Sequence, residues 1–280
     1  MAKYNINEGK IKQFEQYLCE EERSEHTIEK YMRDIHTFQI FLADRKLDKE
    51  VVIEYKRYIA ERYKPASVNS MLAAIKSFFA FCGWLELMVK PLKIQKSMFA
   101  EPERELTRAE YNRLLAAAKS KNNERLCLLM QTICATGIRV SELSFITVEA
   151  VKLGKAEIKC KGKCRTIFIT PKLKGLLLPY ARQNGIVTGH VFVSRNGLPL
   201  NRHRIWADMK ALCADADVDA TKVFPHNLRH LFARTFYSIE KDLNRLADIL
   251  GHSSINTTRI YTMECGQGHM RILKKMPLLL

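Results

Sequence analysis

Acidic side chains are what this sequence is short of. Its 280 residues carry 30 Asp and Glu against 46 Lys and Arg, a formal net charge of +16. That imbalance asks for a polyanionic partner, either nucleic acid or an anionic membrane surface. Hydrophobic residues still make up 47% of the chain, enough for real cores, so a disordered basic tail protein is excluded.

Long apolar runs are also missing. The start, MAKYNINEGK, holds no apolar stretch of the kind a secretory leader needs. The most apolar window, Phe78–Val89, is interrupted by Gly83 and Glu86 and is too short to span a bilayer. The expectation is a soluble cytoplasmic protein with no membrane partner. The eight cysteines are scattered, and with no leader they are expected to be reduced. Cys160 and Cys164 stand in a C-x-x-x-C spacing, but no second Cys or His pair follows at zinc-finger distance.

The usual cofactor loops are absent as well. There is no G-x-x-x-x-G-K-[ST] and no G-x-G-x-x-G, so ATP and dinucleotides have no support. Asp215, Asp217 and Asp219 open like a calcium loop. Ala220 stands where the loop needs glycine and His226 where it needs glutamate. His226 and His230 lie at i and i+4, but Asn227 replaces the glutamate of a zinc protease helix. No cofactor and no metal is expected. No internal repeat or low-complexity tract is present.

The chain does contain amphipathic periods and an uneven charge. Its length suggests two domains. Ile11, Phe14 and Leu18 mark a first helix. Ile28, Tyr31, Ile35, Phe38 and Leu42 mark a second, with Ser24 as its N-cap. Val52, Tyr55 and Ile59 mark a third. Val68, Leu72, Ile75 and Phe79 mark a fourth that starts near Pro65. Together they predict a small helical bundle. Residues 90–106 carry mixed charge and two prolines without a sustained period, and read as a linker. Thr107 and Glu110 form a capping-box pattern that opens a second domain, with helices to about Lys119 and from Glu124 to Ala135. Gly137 suits a left-handed helix end, and Val140–Phe145 starts a further short helix. Ala156–Lys159 and Thr166–Ile169 predict a hairpin about the basic turn Lys161-Gly162-Lys163, with Val191–Val193 as a third strand. Helices are expected again at Arg202–Asp215, His226–Ile239, Leu243–Leu250 and Ser254–Thr262.

The first hundred residues hold a balance of only +3, whereas residues 101–280 hold +13. Residues 151–180 set Lys152, Lys155, Lys159, Lys161, Lys163, Arg165, Lys172 and Lys174 against Glu157 alone. That run is either a solvated basic face or a phosphate-contacting one.

A dispersed cationic set surrounds one hydroxyl. Arg139 follows a glycine break in TGIRVSEL. His226 and Arg229 are neighbours at i and i+3 on one helix face. His252 sits in the turn of LGHSS, and Tyr261 follows nine residues later. Two guanidiniums can clamp the oxygens of one phosphate. Histidines can manage protons near neutral pH, and a phenol can attack phosphorus and hold it covalently. Taken singly, each of these residues has an ordinary structural explanation. His230 and His203 read as structural or surface residues, and His190, His26, His36 and His269 carry no distinctive signal.

The ordered combination TGIRVSEL, basic turn, PHNLRHLFA and LGHSSINTTRIYT resembles the tyrosine recombinases, the phage-integrase and Xer-like family, over nearly the whole chain. The resemblance implies a mainly α protein of the DNA breaking-rejoining enzyme fold. Residues 1–95 would form a four-helix, SAM-like core-binding domain and 96–106 a linker. Residues 107–280 would form a catalytic domain with a small antiparallel β-sheet and a C-terminal tail. The duplex would be clamped between bundle and catalytic domain.

It also implies roles. Arg139 and Arg229 would bind the scissile phosphate, and Lys161 would protonate the leaving 5′-hydroxyl. His226 would support proton transfer, and His252 would bond a phosphate oxygen. Tyr261 would be the nucleophile that forms a 3′-phosphotyrosyl link, and Glu142 a supporting carboxylate. The family usually has a glycine before its lysine and a longer turn. Here Cys160 precedes Lys161, and Lys163 and Lys159 are the alternatives.

The implied partners are duplex DNA with a specific recombination site and a homotetramer on two sites during synapsis. A second recombinase as a heteromeric partner is a further expectation. Strand exchange would pass through a Holliday junction, in the cytoplasm at the nucleoid. The tail, with Ile272, Leu273 and the last leucines, would dock in a neighbouring protomer. Integration and excision of a mobile element, Xer-like dimer resolution and DNA inversion are the competing roles. A chain without an added arm-binding domain argues against a lambda-type integrase with two classes of site. A type IB topoisomerase shares the chemistry but fits the helical N-terminal domain less well. The alternative reading is a catalytically silent DNA-binding regulator derived from a recombinase. A basic RNA-binding protein has no RRM, KH or zinc-knuckle signature behind it.

Overall fold

The computed structural model describes residues 4–94, 105–160, 163–252 and 254–261. The chain divides into two compact units, Met1–Lys96 and Ser97–Leu280.

The first unit is an all-helical bundle of α1 (Glu8–Glu20), α2 (Glu25–Leu42), α3 (Lys49–Arg62) and α4 (Pro65–Phe81). Its core is aromatic. Phe14 packs edge-on to Phe78 at 5.3 Å, Phe38 edge-on to Tyr55 at 4.8 Å, and Phe78 edge-on to Trp84 at 5.9 Å. Asn7 and Asp48 cap α1 and α3 with their side chains, satisfying backbone N–H groups that no helical carbonyl reaches. Ser24 stands at the N-cap of α2, but its hydroxyl pairs with the Thr27 hydroxyl at 2.8 Å instead of capping the backbone. Asn69 on α4 brackets Leu92, donating to its carbonyl at 2.9 Å and accepting from its N–H at 2.7 Å.

The second unit is also mainly helical, with one two-stranded antiparallel sheet. Thr107 and Glu110 form the full capping box that opens α5 (Arg108–Ser120). Next comes α6 (Glu124–Thr136), whose buried residues run from Leu126 to Ile133 with a break only at Gln131 and resume at Thr136, so it forms the centre of the unit. It packs against α5, α8, α9 and α10. The Thr132 and Thr136 hydroxyls donate back to the carbonyls of Leu128 and Thr132, so no polar group is stranded there.

A 3-10 helix (Val140–Phe145) and α7 (Val148–Leu153) lead into β1 (Lys155–Cys160) and β2 (Lys163–Phe168). The strands pair from Lys155↔Phe168 to Cys160↔Lys163, and inward-facing Ala156, Ile158 and Ile167 join the core. The remaining helices are α8 (Pro171–Gln183), α9 (Arg202–Lys210), α10 (Pro225–Glu240), α11 (Leu243–Leu250) and α12 (Ile255–Thr258). A 3-10 turn, Arg259–Tyr261, ends the described chain.

Three sequence expectations are corrected. Val191–Val193 forms no third strand: among the described residues the pairings here are isolated bridges, Val193↔Pro199 within the run and Thr147↔His190 just before it, and isolated bridges do not make a continuous ladder. The helix expected to reach Asp215 ends at Lys210. A helix is present at Pro171–Gln183, overlapping the end of the run read as a basic face. Thr170 caps it, and Leu173, Leu177, Tyr180 and Ala181 are buried. Gly175 and Pro179 inside it obscure the period, since both are ordinarily helix breakers. Among the described residues, no helix is long and apolar enough to cross a membrane.

Candidate active site

The site forms where three segments meet: the end of α6, the start of α10, and the turn that ends α11. Gly137 ends α6 in the left-handed conformation, φ +66°, and its carbonyl accepts from Arg229 Nη1 at 2.5 Å. Added there, a Cβ would lie 2.4 Å from the Phe232 ring. Gly137→Ala therefore combines a strained φ with overpacking, a loss of about 2–4 kcal/mol. Its melting temperature is expected to fall by roughly 5–10 °C, readable by calorimetry.

Arg139 follows two residues later, after Ile138. Its backbone N–H and its Nη1 both donate to Glu142, each at 2.8 Å, so the Glu142 carboxylate orients the guanidinium. Burial pushes the Glu142 carboxyl up. The hydrogen bonds from Arg139 and the charges of Arg165 and Arg139 outweigh it and leave the pKa below the usual carboxylate range.

Arg229 lies on α10 with 1% of its surface exposed. Besides Gly137, its guanidinium donates to the Leu250 carbonyl at 2.7 Å and meets His252 Nε2 at 3.1 Å. Burial first, then the charges of Arg139 and Arg165, lowers its pKa to about 10, so it is still a cation at neutral pH. Its Nε is buried and finds no acceptor among the described residues.

The Arg229 contact settles the His252 tautomer in this arrangement. A guanidinium only donates, so Nε2 accepts, and Nδ1 carries the proton and donates to the Thr258 hydroxyl at 2.8 Å. The neutral form fits the electrostatics: burial and the three arginine charges bring the His252 pKa down to about 4.

Tyr261 is 5% exposed and packs with Ala233, Leu246 and Leu250. Its ring stacks on His252 at 6.1 Å and meets His230 edge-on at 4.9 Å. Burial raises its pKa, while the Arg229 and Arg139 charges oppose that rise. His226, near the start of α10, keeps an exposed side chain and touches His230 edge-on at 4.6 Å. Partial desolvation, then the charges of Arg229 and Arg139, pulls its pKa below 6.5.

Five of the residues singled out from sequence, Arg139, His226, Arg229, His252 and Tyr261, thus lie in one cluster together with Glu142. Lys161 and the C-terminal tail lie outside the described residues. Lys159 and Lys163 are located only by their strands, opposite Cys164 and Cys160 respectively.

Two residues in the cluster were missed by the sequence reading. Arg165, counted there with the basic run, points inward from β2, its side chain 11% exposed. It pairs with Glu142 and donates to the Ile249 carbonyl at 2.6 Å. His230, read as structural, flanks Tyr261. The signal for Arg165 was its place on a strand two residues before the buried Ile167, but its partners are far off in sequence.

Three histidines of depressed pKa give a pH prediction. His230 is also brought down to about 4, by burial and then by the surrounding cations. Unfolded histidines take up protons near 6.5 that these folded ones refuse. The stability they contribute is therefore complete above about pH 6.5 and is lost as the pH falls toward about 4. The melting temperature should drop over that window, and His230→Gln should make the drop shallower.

Comparison with known proteins places the chain. Residues 104–265 match the phage integrase family, and residues 11–84 match the N-terminal SAM-like domain of phage integrases. The chain belongs to the phage integrase family and is a tyrosine-type site-specific recombinase of the Xer-like kind. It is 28% identical over 264 residues to the tyrosine recombinase XerD of Halalkalibacterium halodurans, covering 85% of this chain and 87% of that one. It is 29% identical over 278 residues to XerC of Roseiflexus castenholzii, covering 90% and 88%. Among solved structures, a lambda integrase (75–356) dimer bound to a COC′ core site shares the fold with a TM-score of 0.75. That match has 18% identity and covers 93% of this chain and 96% of that one. XerH bound to difH in a pre-cleavage complex gives a TM-score of 0.70 at 19% identity, covering 95% and 94%.

Proposed function

We propose that this protein cuts and rejoins duplex DNA at a specific site through a covalent bond between Tyr261 and a DNA 3′-phosphate. The observation that carries the reading is the convergence of Arg139, Arg229 and His252 beside the Tyr261 ring. In the proposed step the Tyr261 oxygen attacks phosphorus, the bond to the 5′-oxygen breaks, and that oxygen leaves as a hydroxyl. Two protons must move. The phenol proton goes to a neutral imidazole, and His226, with its lowered pKa and exposed edge, suits that role. The leaving oxygen takes its proton from Lys161 of the hairpin turn, with Lys163 and Lys159 as alternatives.

Arg139 and Arg229 neutralise the charge that builds on the non-bridging oxygens, where preorganised donors have most effect. The unpartnered Nε of Arg229 is a donor suited to one of those oxygens. For His252 to donate to the phosphate, its proton must shift from Nδ1 to Nε2 as Arg229 turns to the ligand. The phosphodiester energy is kept in the tyrosyl bond, so a 5′-hydroxyl of a partner duplex can reverse the step.

We further infer strand exchange through a Holliday junction by a tetramer on two sites, in the cytoplasm at the nucleoid, with residues 1–95 as the core-binding domain. A lambda integrase tetramer bound to a Holliday junction supports this by likeness of fold. The Xer relatives favour a dimer-resolution role, and the fold shared with a Tn1549 transposon integrase keeps mobile-element integration alongside it.

The test is covalent capture. The protein is incubated with randomised nicked duplexes, and adducts resistant to SDS are recovered and sequenced. Recovery of one shared sequence supports the reading; binding without any adduct supports the silent regulator. Affinity for the recovered duplex should also fall by about 10³-fold or more between 50 and 200 mM salt, as expected for on the order of six to ten phosphate contacts.

A further inference from the structure

Three consecutive carbonyls end α11 and its turn, and each faces a different arginine. Arg165 Nη1 donates to Ile249 O at 2.6 Å, Arg229 Nη2 to Leu250 O at 2.7 Å, and Arg139 Nη2 reaches toward Gly251 O at 3.5 Å. These are the carbonyls a helix end leaves without intrahelical partners, at the negative end of its dipole. Two of these guanidiniums, those of Arg139 and Arg165, also hold a single carboxylate. Glu142 Oε1 takes Arg139 Nη1, and Oε2 takes both the Arg139 N–H and Arg165 Nη2.

Arg165 is the member of this rack with no role in the reaction as written. It is fixed from three sides: by Glu142, by Ile249 O, and by the bare backbone of Gly251. A Cβ on Gly251 would stand 2.6 Å from Arg165 Cδ, so the Arg165 stem occupies the space a side chain at 251 would need. Its two Nη groups therefore tie the carboxylate that aims Arg139 to the turn that presents His252 and anchors Arg229.

We propose that Arg165 is a positioning residue for the phosphate site, holding Glu142 and the Ile249–His252 turn in register so that Arg139, Arg229 and His252 meet one phosphate. The proposal rests on the reading above. Lysine cannot replace arginine here, because one ammonium on a flexible stem cannot bridge Glu142 and Ile249 O in a fixed plane.

The experiment compares wild type, Arg165→Lys and Gly251→Ala on the nicked duplex recovered by covalent capture. Each is tested with an ordinary scissile phosphate and with a methylphosphonate at the same linkage. The methylphosphonate lacks the anionic oxygen that the arginines must neutralise. On the phosphate, Arg165→Lys should slow adduct formation by about 100-fold, the scale of a misplacement near 1 Å. On the methylphosphonate it should fall within about threefold of wild type on the same linkage, since the misaligned guanidiniums no longer limit the rate. Gly251→Ala displaces Arg165 from the other side and should give the same pattern if Arg165→Lys folds poorly.

A defect of equal size on both linkages would mean that Arg165 acts through the fold alone, and wild-type cleavage by Arg165→Lys would mean that it does not position the site; either overturns the proposal. Absence of any adduct with wild type overturns the recombinase reading itself, which separates the two failures.

Discussion

Replacing Tyr261 with phenylalanine is expected to abolish covalent capture of DNA while leaving the protein folded and able to bind. The ring is held by Ala233, Leu246 and Leu250 and by contacts with the His252 and His230 rings. Phenylalanine keeps all of that apolar area, so the melting temperature should stay within about 2 °C of wild type. Removal of the oxygen takes away the only atom able to form the phosphoester. Loss of a nucleophile that acts with a set of partners removes most of the rate enhancement, on the order of 10⁴-fold or more. The measurement is the SDS-resistant adduct on the nicked duplex, set beside binding of the same duplex by gel shift. An adduct formed by Tyr261→Phe would assign the nucleophile elsewhere.

Arg229 is expected to give the next largest effect, visible in both rate and stability. Arg229→Ala removes a donor from the developing charge, which costs about 10²–10³ in rate when one preorganised donor is lost. It also leaves the Gly137 and Leu250 carbonyls without their guanidinium. Orphaned buried acceptors cost about 1–3 kcal/mol each. Against this, the variant escapes the cost of burying a cation among cations, which the lowered pKa of about 10 records. The two effects partly cancel, so a net loss of roughly 1–3 kcal/mol is expected, smaller than the sum of the orphaned groups. Arg229→Lys restores the charge but not the planar fork, and should remain about 10²-fold slow. Single-turnover cleavage and thermal melting, run on both variants, separate the chemical part from the structural one. A lysine variant as fast as wild type would show that charge alone suffices at this position.

Much of the local architecture was legible in the residues. The period of Ile28, Tyr31, Ile35, Phe38 and Leu42 predicts α2, and Thr107 with Glu110 predicts the start of α5. Gly137 and Gly251 mark helix ends because each takes a left-handed φ. These features come from short-range sterics and from hydrogen bonds to nearby backbone, which a sequence displays directly. Where breakers sit inside an element, as Gly175 and Pro179 do in α8, the same rules mislead. Burial of Leu173, Leu177 and Tyr180 outweighs the weak local preference. The run Val191–Val193 has strand-like composition, but a strand needs a continuous ladder with a partner, and nothing in its own residues shows that the described pairings are isolated bridges.

The acidic deficit and the motifs carrying Arg139, His226, Arg229, His252 and Tyr261 are properties of the sequence alone. They are enough to propose a phosphate as the object of the chemistry. The sequence could not disclose the rack that holds them. Arg165 meets Glu142 across 23 residues and Ile249 across 84, and Arg229 meets Gly137 across 92. Such contacts exist only once α10 packs on α6 and α11 closes against β2. Local propensity determines where helices start and stop. Which carbonyl at a helix end faces which guanidinium is decided by the packing of whole elements, and for that reason Arg165 reads as one more surface cation in the sequence and as a buried tie in the fold.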